Sequence, residues 1–242
     1  MSALVRETVR LAGGREQAVL RGGRGPVLVW LHGLGGVTPD DPAALALAER
    51  WSVVAPVAPG FDRDEDAADL RGVHDLALRA DDLFEALGLE GALVAGHSFG
   101  AMLAAELAAH APRRVARLLL VSPLGWWRDD EPAADFFAVP PGSDASPYRR
   151  TPPEAVERAR RAVARVLWPL PDKGLRRRLY RVRARSVVLS GDRDPFVPAS
   201  YARDLAAGLG GAPCVVEAGA GHDLPYERPD AVAAALDALR AA

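Results

Sequence analysis

The 242-residue sequence predicts an α/β domain, a mostly parallel central sheet flanked by helices. Three observations carry this. Short apolar runs alternate with helix-period segments along the chain. Several runs, such as Val27-Leu28-Val29-Trp30-Leu31 and Leu118-Leu119-Leu120-Val121, are continuous, as in strands buried on both faces of a parallel sheet. The composition is 49% hydrophobic and 26% charged. That balance can fill a core without staples and excludes a disordered or collagen-like chain.

The elements follow in order. Residues 5–11 and 17–20 read as an antiparallel opening joined around Gly13-Gly14. A strand at 27–32 precedes a helix at 42–50, which starts behind the cap signal Asp40-Asp41. A strand at 52–57 leads to an amphipathic helix at 73–87 that closes at Gly88. Next come a strand at 92–95, an Ala/Leu-rich helix at 99–110 stopping before Pro112, and a strand at 117–121. Strands at 186–190 and 213–217 alternate with helices at 199–207 and 229–241.

Residues 126–185 break this rhythm. They open with aromatics and prolines (Trp126, Trp127, Phe136, Phe137, Pro140, Pro141), then carry helical patterns at 153–166 and 174–181. The stretch reads as a helical cap inserted after the sixth strand, with the core formed by residues 1–125 and 186–242. From Arg149 to Arg185 there are thirteen Lys/Arg against three Asp/Glu, a local +10 that leaves −12 for the rest of a −2 chain. One reading is a basic lid resting on an acidic body, its arginines solvated. The sharper reading is attraction of anionic substrates. The first is the commoner use of a charge run.

Several function classes are excluded. Cys214 is the only cysteine, so there is no intramolecular disulfide framework and no cysteine-rich metal site. A net charge of −2 makes no case for nucleic acid. Residues 1–10 lack an apolar h-region, and no run approaches the roughly 18 apolar residues of a membrane span. The expectation is a soluble, cytoplasmic protein.

The chemistry centres on Gly96-His97-Ser98-Phe99-Gly100, between a predicted strand and a predicted helix. In a strand–G-x-S-x-G–helix context the serine occupies a sharp, strained turn that projects its hydroxyl. The glycines are needed because bulk two residues before or after would strike the neighbouring strand and helix. The helix that starts here aims its N-terminus at developing negative charge. A serine needs a base, and the base an orienting acid. Among five histidines, His222 follows the last strand, where parallel sheets place functional residues. His110 and His74 lie at helix ends, His97 neighbours the serine but points apart from it, and His32 belongs to another motif. For the acid, the loop Ser190-Gly191-Asp192-Arg193-Asp194-Pro195 offers Asp192 and Asp194. Both stay open on the residues alone, with Asp194 better placed where the chain turns towards the site. The glycine-rich His32-Gly33-Leu34-Gly35-Gly36 leaves backbone N–H groups free to face an oxyanion.

Together these segments resemble the α/β-hydrolase superfamily. The order Ser98, Asp194, His222 is the one that superfamily uses. The likeness runs through H-G-L-G-G, A-P-G-F, G-H-S-F-G, G-D-R-D-P-F-V-P and G-H-D-L-P-Y-E-R-P, nearly the whole chain. It selects Asp194, because the family's glycine–two residues–aspartate–three residues–proline pattern falls on Gly191, Asp194 and Pro198. Its histidine–acid–proline spacing falls on His222, Glu227 and Pro229. It implies an oxyanion hole from the backbone N–H groups of Leu34 and Phe99. One loop departs: many members read aspartate–x–proline–glycine after the fourth strand, where this chain has Val57-Ala58-Pro59-Gly60-Phe61-Asp62-Arg63.

The resemblance implies a serine hydrolase cleaving carboxylic esters through an acyl-enzyme, with a small-molecule ester as its partner and neither metal nor organic cofactor. Serine at the nucleophile position argues against the family's dehalogenases and epoxide hydrolases. Trp126, Trp127, Phe136 and Phe137 are candidates for an apolar substrate pocket, or for ordinary packing of lid to body. Alternatives are a carbon–carbon-bond hydrolase or acyltransferase with the same triad, and a slow-turnover ligand-binding receptor.

Overall fold

In a computed structural model that describes residues 3–140, 143, 146–168 and 172–241, eight strands form one sheet. They are β1 (Val5–Arg10), β2 (Glu16–Gly22), β3 (Val27–Leu31), β4 (Ser52–Pro56), β5 (Ala92–His97), β6 (Val115–Val121), β7 (Arg185–Gly191) and β8 (Cys214–Glu217). The spatial order is β1-β2-β4-β3-β5-β6-β7-β8. β2 runs antiparallel to both neighbours and the other pairs are parallel. The chain winds outward from β3 to β4, then returns to lay β5 on the other side of β3. Loops at the C-terminal ends of β3 and β5 therefore diverge. In an open sheet this switch point is the natural crevice for a ligand.

The continuous apolar runs are buried as expected. Leu28, Val29 and Trp30 of β3, and Leu118 to Val121 of β6, are shielded on both faces. The helices between strands are α1 (Pro42–Ala48), α2 (Val73–Ala86), α3 (Phe99–His110) and α5 (Ala199–Gly208); α4 (Pro153–Leu167) lies in the insertion, and a single-turn α6 (Leu224–Glu227) and α7 (Pro229–Ala241) follow β8. Asp41 caps α1 by accepting the Ala44 N–H at 2.8 Å. α3 is buried along its whole length except His110, which explains its Ala/Leu composition.

The insertion leaves the sheet after β6 and returns at β7. α4 buries one stripe, Val156, Ala159, Ala162, Val163, Val166 and Leu167, against the body. Its seat is the loop after β4. Gly60 there has φ +87°, and a Cβ would meet Ala162 and Ala67 at 2.8 Å each. That close approach is the local use of the A-P-G-F segment. The second expected cap helix, 174–181, is instead two 3₁₀ turns, Leu175–Arg177 and Leu179–Arg181. Arg178, between the turns, reaches Glu106 of α3 at 2.8 and 2.5 Å and the Lys173 carbonyl at 2.7 Å.

Candidate active site

Ser98 occupies the turn between β5 and α3 with φ 54° and ψ −114°. A non-glycine residue there is strained by about 1–3 kcal/mol, held in place by its surroundings. The holding groups are visible. The Ser98 N–H donates to the Val121 carbonyl at 2.8 Å, and its carbonyl accepts the Met102 N–H at 3.1 Å. A Cβ on Gly96 would collide with the Gly100 backbone, and one on Gly100 with the Leu31 and His32 carbonyls. Both flanking glycines are thus required by backbone contact.

The loops after β7 and β8 bring the two remaining groups. His222 Nε2 lies 2.9 Å from Ser98 Oγ, and His222 Nδ1 lies 2.7 Å from Asp194 Oδ2. The other carboxylate oxygen, Oδ1, accepts the N–H groups of Phe196 and Val197 at 2.8 and 2.9 Å. Asp192, the competing acid, is exposed and accepts the Gly219 N–H at 2.7 Å. Gly191 lets these loops meet, since a Cβ there would strike the Ala220 carbonyl. Burial pushes the His222 imidazole towards neutrality. The charge and hydrogen bond of Asp194, with Asp223 and Glu227 beyond, outweigh burial and hold its pKa above 6.5. Burial raises the Asp194 carboxyl, but His222 and the two N–H donors bring it below its ordinary value. Both shifts favour the ion pair.

Further groups hold His222 by its backbone. His97 Nε2 lies 2.9 Å from the His222 carbonyl and must donate, since the carbonyl only accepts. Ser122 Oγ donates to the same oxygen at 3.0 Å. Burial lowers the His97 pKa to about 4, so this support is neutral. Glu227 accepts the Gly221 N–H at 2.6 Å, which gives the histidine–acid spacing a structural use.

The oxyanion candidates lie beside Ser98. Phe99 is the first residue of α3, where helix geometry leaves the N–H unbonded. His32 Nδ1 donates to the Gly33 carbonyl at 2.7 Å, while its Nε2 accepts the Ala58 N–H at 3.0 Å. Burial lowers its pKa to about 4, so it remains neutral. Turning the Gly33 carbonyl towards His32 turns the Leu34 N–H, on the opposite edge of the same planar peptide, the other way. His74 and His110 are exposed at their helix ends.

The cleft over Ser98 has about 480 Å³ of unfilled space including its open mouth. Its lining is Gly33 to Gly36, Thr38, Asp41, His97, Ser98, Pro147, Arg150, His222, Asp223 and Tyr226. None of the four predicted cap aromatics lines it. Trp126 is buried in a stack on Tyr201 (5.3 Å), whose hydroxyl in turn accepts the N–H groups of Arg128 and Ala133. Trp127 donates to Asp129. Phe137 packs edge-on against Trp168. Phe136 packs at a tilt on Phe196 and reaches the His222 ring at 5.7 Å, so it backs the histidine. Trp126 and Phe136 thus pack the insertion on the body, and Trp127 and Phe137 have partners within the insertion.

Sequence reading missed His97, Ser122, Asp41, Arg150 and Tyr226. Ser122 carried a faint signal, a polar residue ending a continuous apolar strand; it has φ 46° and is fully buried. His97 and Asp41 lay in segments read for other uses, and Arg150 and Tyr226 had no signal, because the insertion and α6 bring them to the cleft.

A model described as the alpha/beta hydrolase family matches residues 28–235. An uncharacterized protein of Mycobacterium tuberculosis is 30% identical over 161 residues, 65% of this chain and 47% of its own length. The chain thus spans about half the length of the first curated relatives it matches. Among solved structures, a bacterial membrane phospholipase A superposes with TM-score 0.77 at 25% identity, covering 99% of this chain and 88% of that one. A naproxen esterase from Bacillus subtilis superposes with TM-score 0.73 at 20% identity, covering 96% and 89%.

Proposed function

The chain belongs to the alpha/beta hydrolase family, and from that premise we propose that it is a serine hydrolase cleaving carboxylic esters through an acyl-enzyme. The observation that carries this is the unbroken line Ser98 Oγ, His222, Asp194, with links of 2.9 and 2.7 Å. Ser98 attacks the ester carbonyl while His222 Nε2 takes its proton. Asp194 holds the proton on Nδ1, leaving the Nε2 lone pair towards the serine, and stabilises the imidazolium. The N–H groups of Leu34 and Phe99, with the α3 N-terminus, meet the charge that develops on the carbonyl oxygen. His222 then protonates the leaving alcohol, and a water deprotonated by His222 releases the acid and restores Ser98.

The strained Ser98 backbone supports the reading, since such strain gathers where geometry serves chemistry. The test is a panel of para-nitrophenyl esters of increasing acyl length, followed from the first turnover. Expected is a burst followed by sustained release, both lost in Ser98→Ala. Sustained turnover by Ser98→Ala at a near-normal rate refutes the serine mechanism. A burst with no later turnover favours the single-turnover receptor.

A further inference from the structure

The proposed reaction uses the floor of the cleft and leaves Arg150, on its wall, without a task. Its guanidinium lies over the Tyr226 ring, 4.2 Å from the centroid. That contact engages the face of the ring and leaves the guanidinium N–H groups free to donate. The nearest carboxylate oxygen, Oδ2 of Asp223, is 3.8 Å from Nε, beyond hydrogen-bond reach. That oxygen is held at 2.7 Å by Arg149. Asp41, on the same wall, is occupied by the Tyr226 hydroxyl and the Ala44 N–H, both at 2.8 Å.

Three other cations of the insertion are committed to the body. Arg158 donates to the Phe61 carbonyl, Arg161 to Asp64 and Arg178 to Glu106. These three arginines are thus paired with the body, where the charge run alone suggested solvated side chains. Arg150 differs in two respects. It faces the cleft that holds Ser98, and among the described residues it has a 3.8 Å ion pair with Asp223 but no hydrogen bond.

We infer that Arg150 anchors a carboxylate carried by the substrate, so that the cleft selects small esters bearing a single negative charge. The inference rests on the serine hydrolase reading above. A planar guanidinium presents two parallel N–H groups that match a carboxylate. Asp41 and Asp223 beside it make a second negative charge on the ligand costly, which favours a carboxylate over a phosphate dianion. The polar wall, with the aromatics withdrawn into packing, suits the same class.

The test compares para-nitrophenyl hemisuccinate with the neutral para-nitrophenyl pentanoate in wild type, Arg150→Gln and Arg150→Lys. Losing a charge-assisted pair should lower the hemisuccinate-to-pentanoate ratio of kcat/KM by about 10- to 100-fold in Arg150→Gln, chiefly through KM. Arg150→Lys should recover only part, because an ammonium cannot fork. An unchanged ratio in Arg150→Gln overturns the assignment. A second measurement needs no turnover: monomethyl succinate is titrated calorimetrically into Ser98→Ala, with and without Arg150→Gln. At least a tenfold rise in Kd is expected, and equal affinities overturn the anchor. Absence of Ser98-dependent ester turnover in wild type, by contrast, is a failure of the hydrolase reading, and the titration still decides Arg150.

Discussion

Replacing Asp194 by asparagine separates orientation from mere presence of the acid. In the native site Oδ1 accepts two backbone N–H groups, from Phe196 and Val197, and Oδ2 accepts His222 Nδ1. An asparagine has one acceptor oxygen. It stays on the Phe196 and Val197 side, since the flipped amide would set its NH₂ against two N–H donors and lose both bonds. The NH₂ then faces Nδ1 and can only donate to it. The imidazole must place its proton on Nε2, which now donates to Ser98 Oγ and cannot take its proton. Reversing the tautomer in a Ser-His-Asp triad costs about 10⁴ in turnover, roughly 5.5 kcal/mol of barrier. Both backbone hydrogen bonds survive and the third only reverses its direction, losing its charge, so the melting temperature should move by only about 3 °C. The assay is steady-state hydrolysis of an aryl ester, with melting followed by circular dichroism. Asp192→Asn is the control, because that side chain is exposed and supports only Gly219. Asp194→Asn turning over within tenfold of wild type, or Asp192→Asn being the worse, refutes the assignment.

Three further outcomes follow from the geometry. Ser98→Ala removes the nucleophile but keeps the strained φ of 54°, whereas Ser98→Gly relieves it. The glycine variant should unfold at higher denaturant than the alanine variant, by about 1 kcal/mol, and a reversed order in urea titration would show that the backbone is not strained. His222 acts only when neutral and its pKa is raised, so kcat/KM should fall as pH drops through a midpoint above 6.5, and Asp194→Asn should move that midpoint down as burial prevails; a wild-type midpoint below 6 contradicts this. Gly100→Ala drives a Cβ into the Leu31 and His32 carbonyls and should destabilise the fold by about 2–3 kcal/mol, checked by urea unfolding; a neutral effect would mean the elbow has room.

Much of this molecule was legible in local sequence. The apolar runs of β3 and β6 imply strands covered on both faces, and Leu118 to Val121 are fully buried. Gly96 and Gly100 imply a turn too tight for side chains, and the backbone contacts around them leave no space for a Cβ. Ser98 and His222 each stand at the end of a strand, where a parallel sheet directs its loops to one edge. Between Asp192 and Asp194 the residues alone were nearly neutral. The choice depends on how Gly191 lets the loop pack on Ala220, a contact between segments about thirty residues apart. The cleft wall had no local signature. Arg150 comes from the insertion, Tyr226 from α6 and Asp41 from the start of α1, and they meet only after the insertion docks. The cap aromatics show the same limit, since Trp126 found Tyr201 and Phe136 found Phe196 in place of the cleft. Backbone geometry and strand burial are written in neighbouring residues, because sterics and hydrophobic periodicity act over a few positions. Which side chains face a substrate is decided by packing between distant segments, and there apolar area is satisfied equally well by a partner ring or by a ligand.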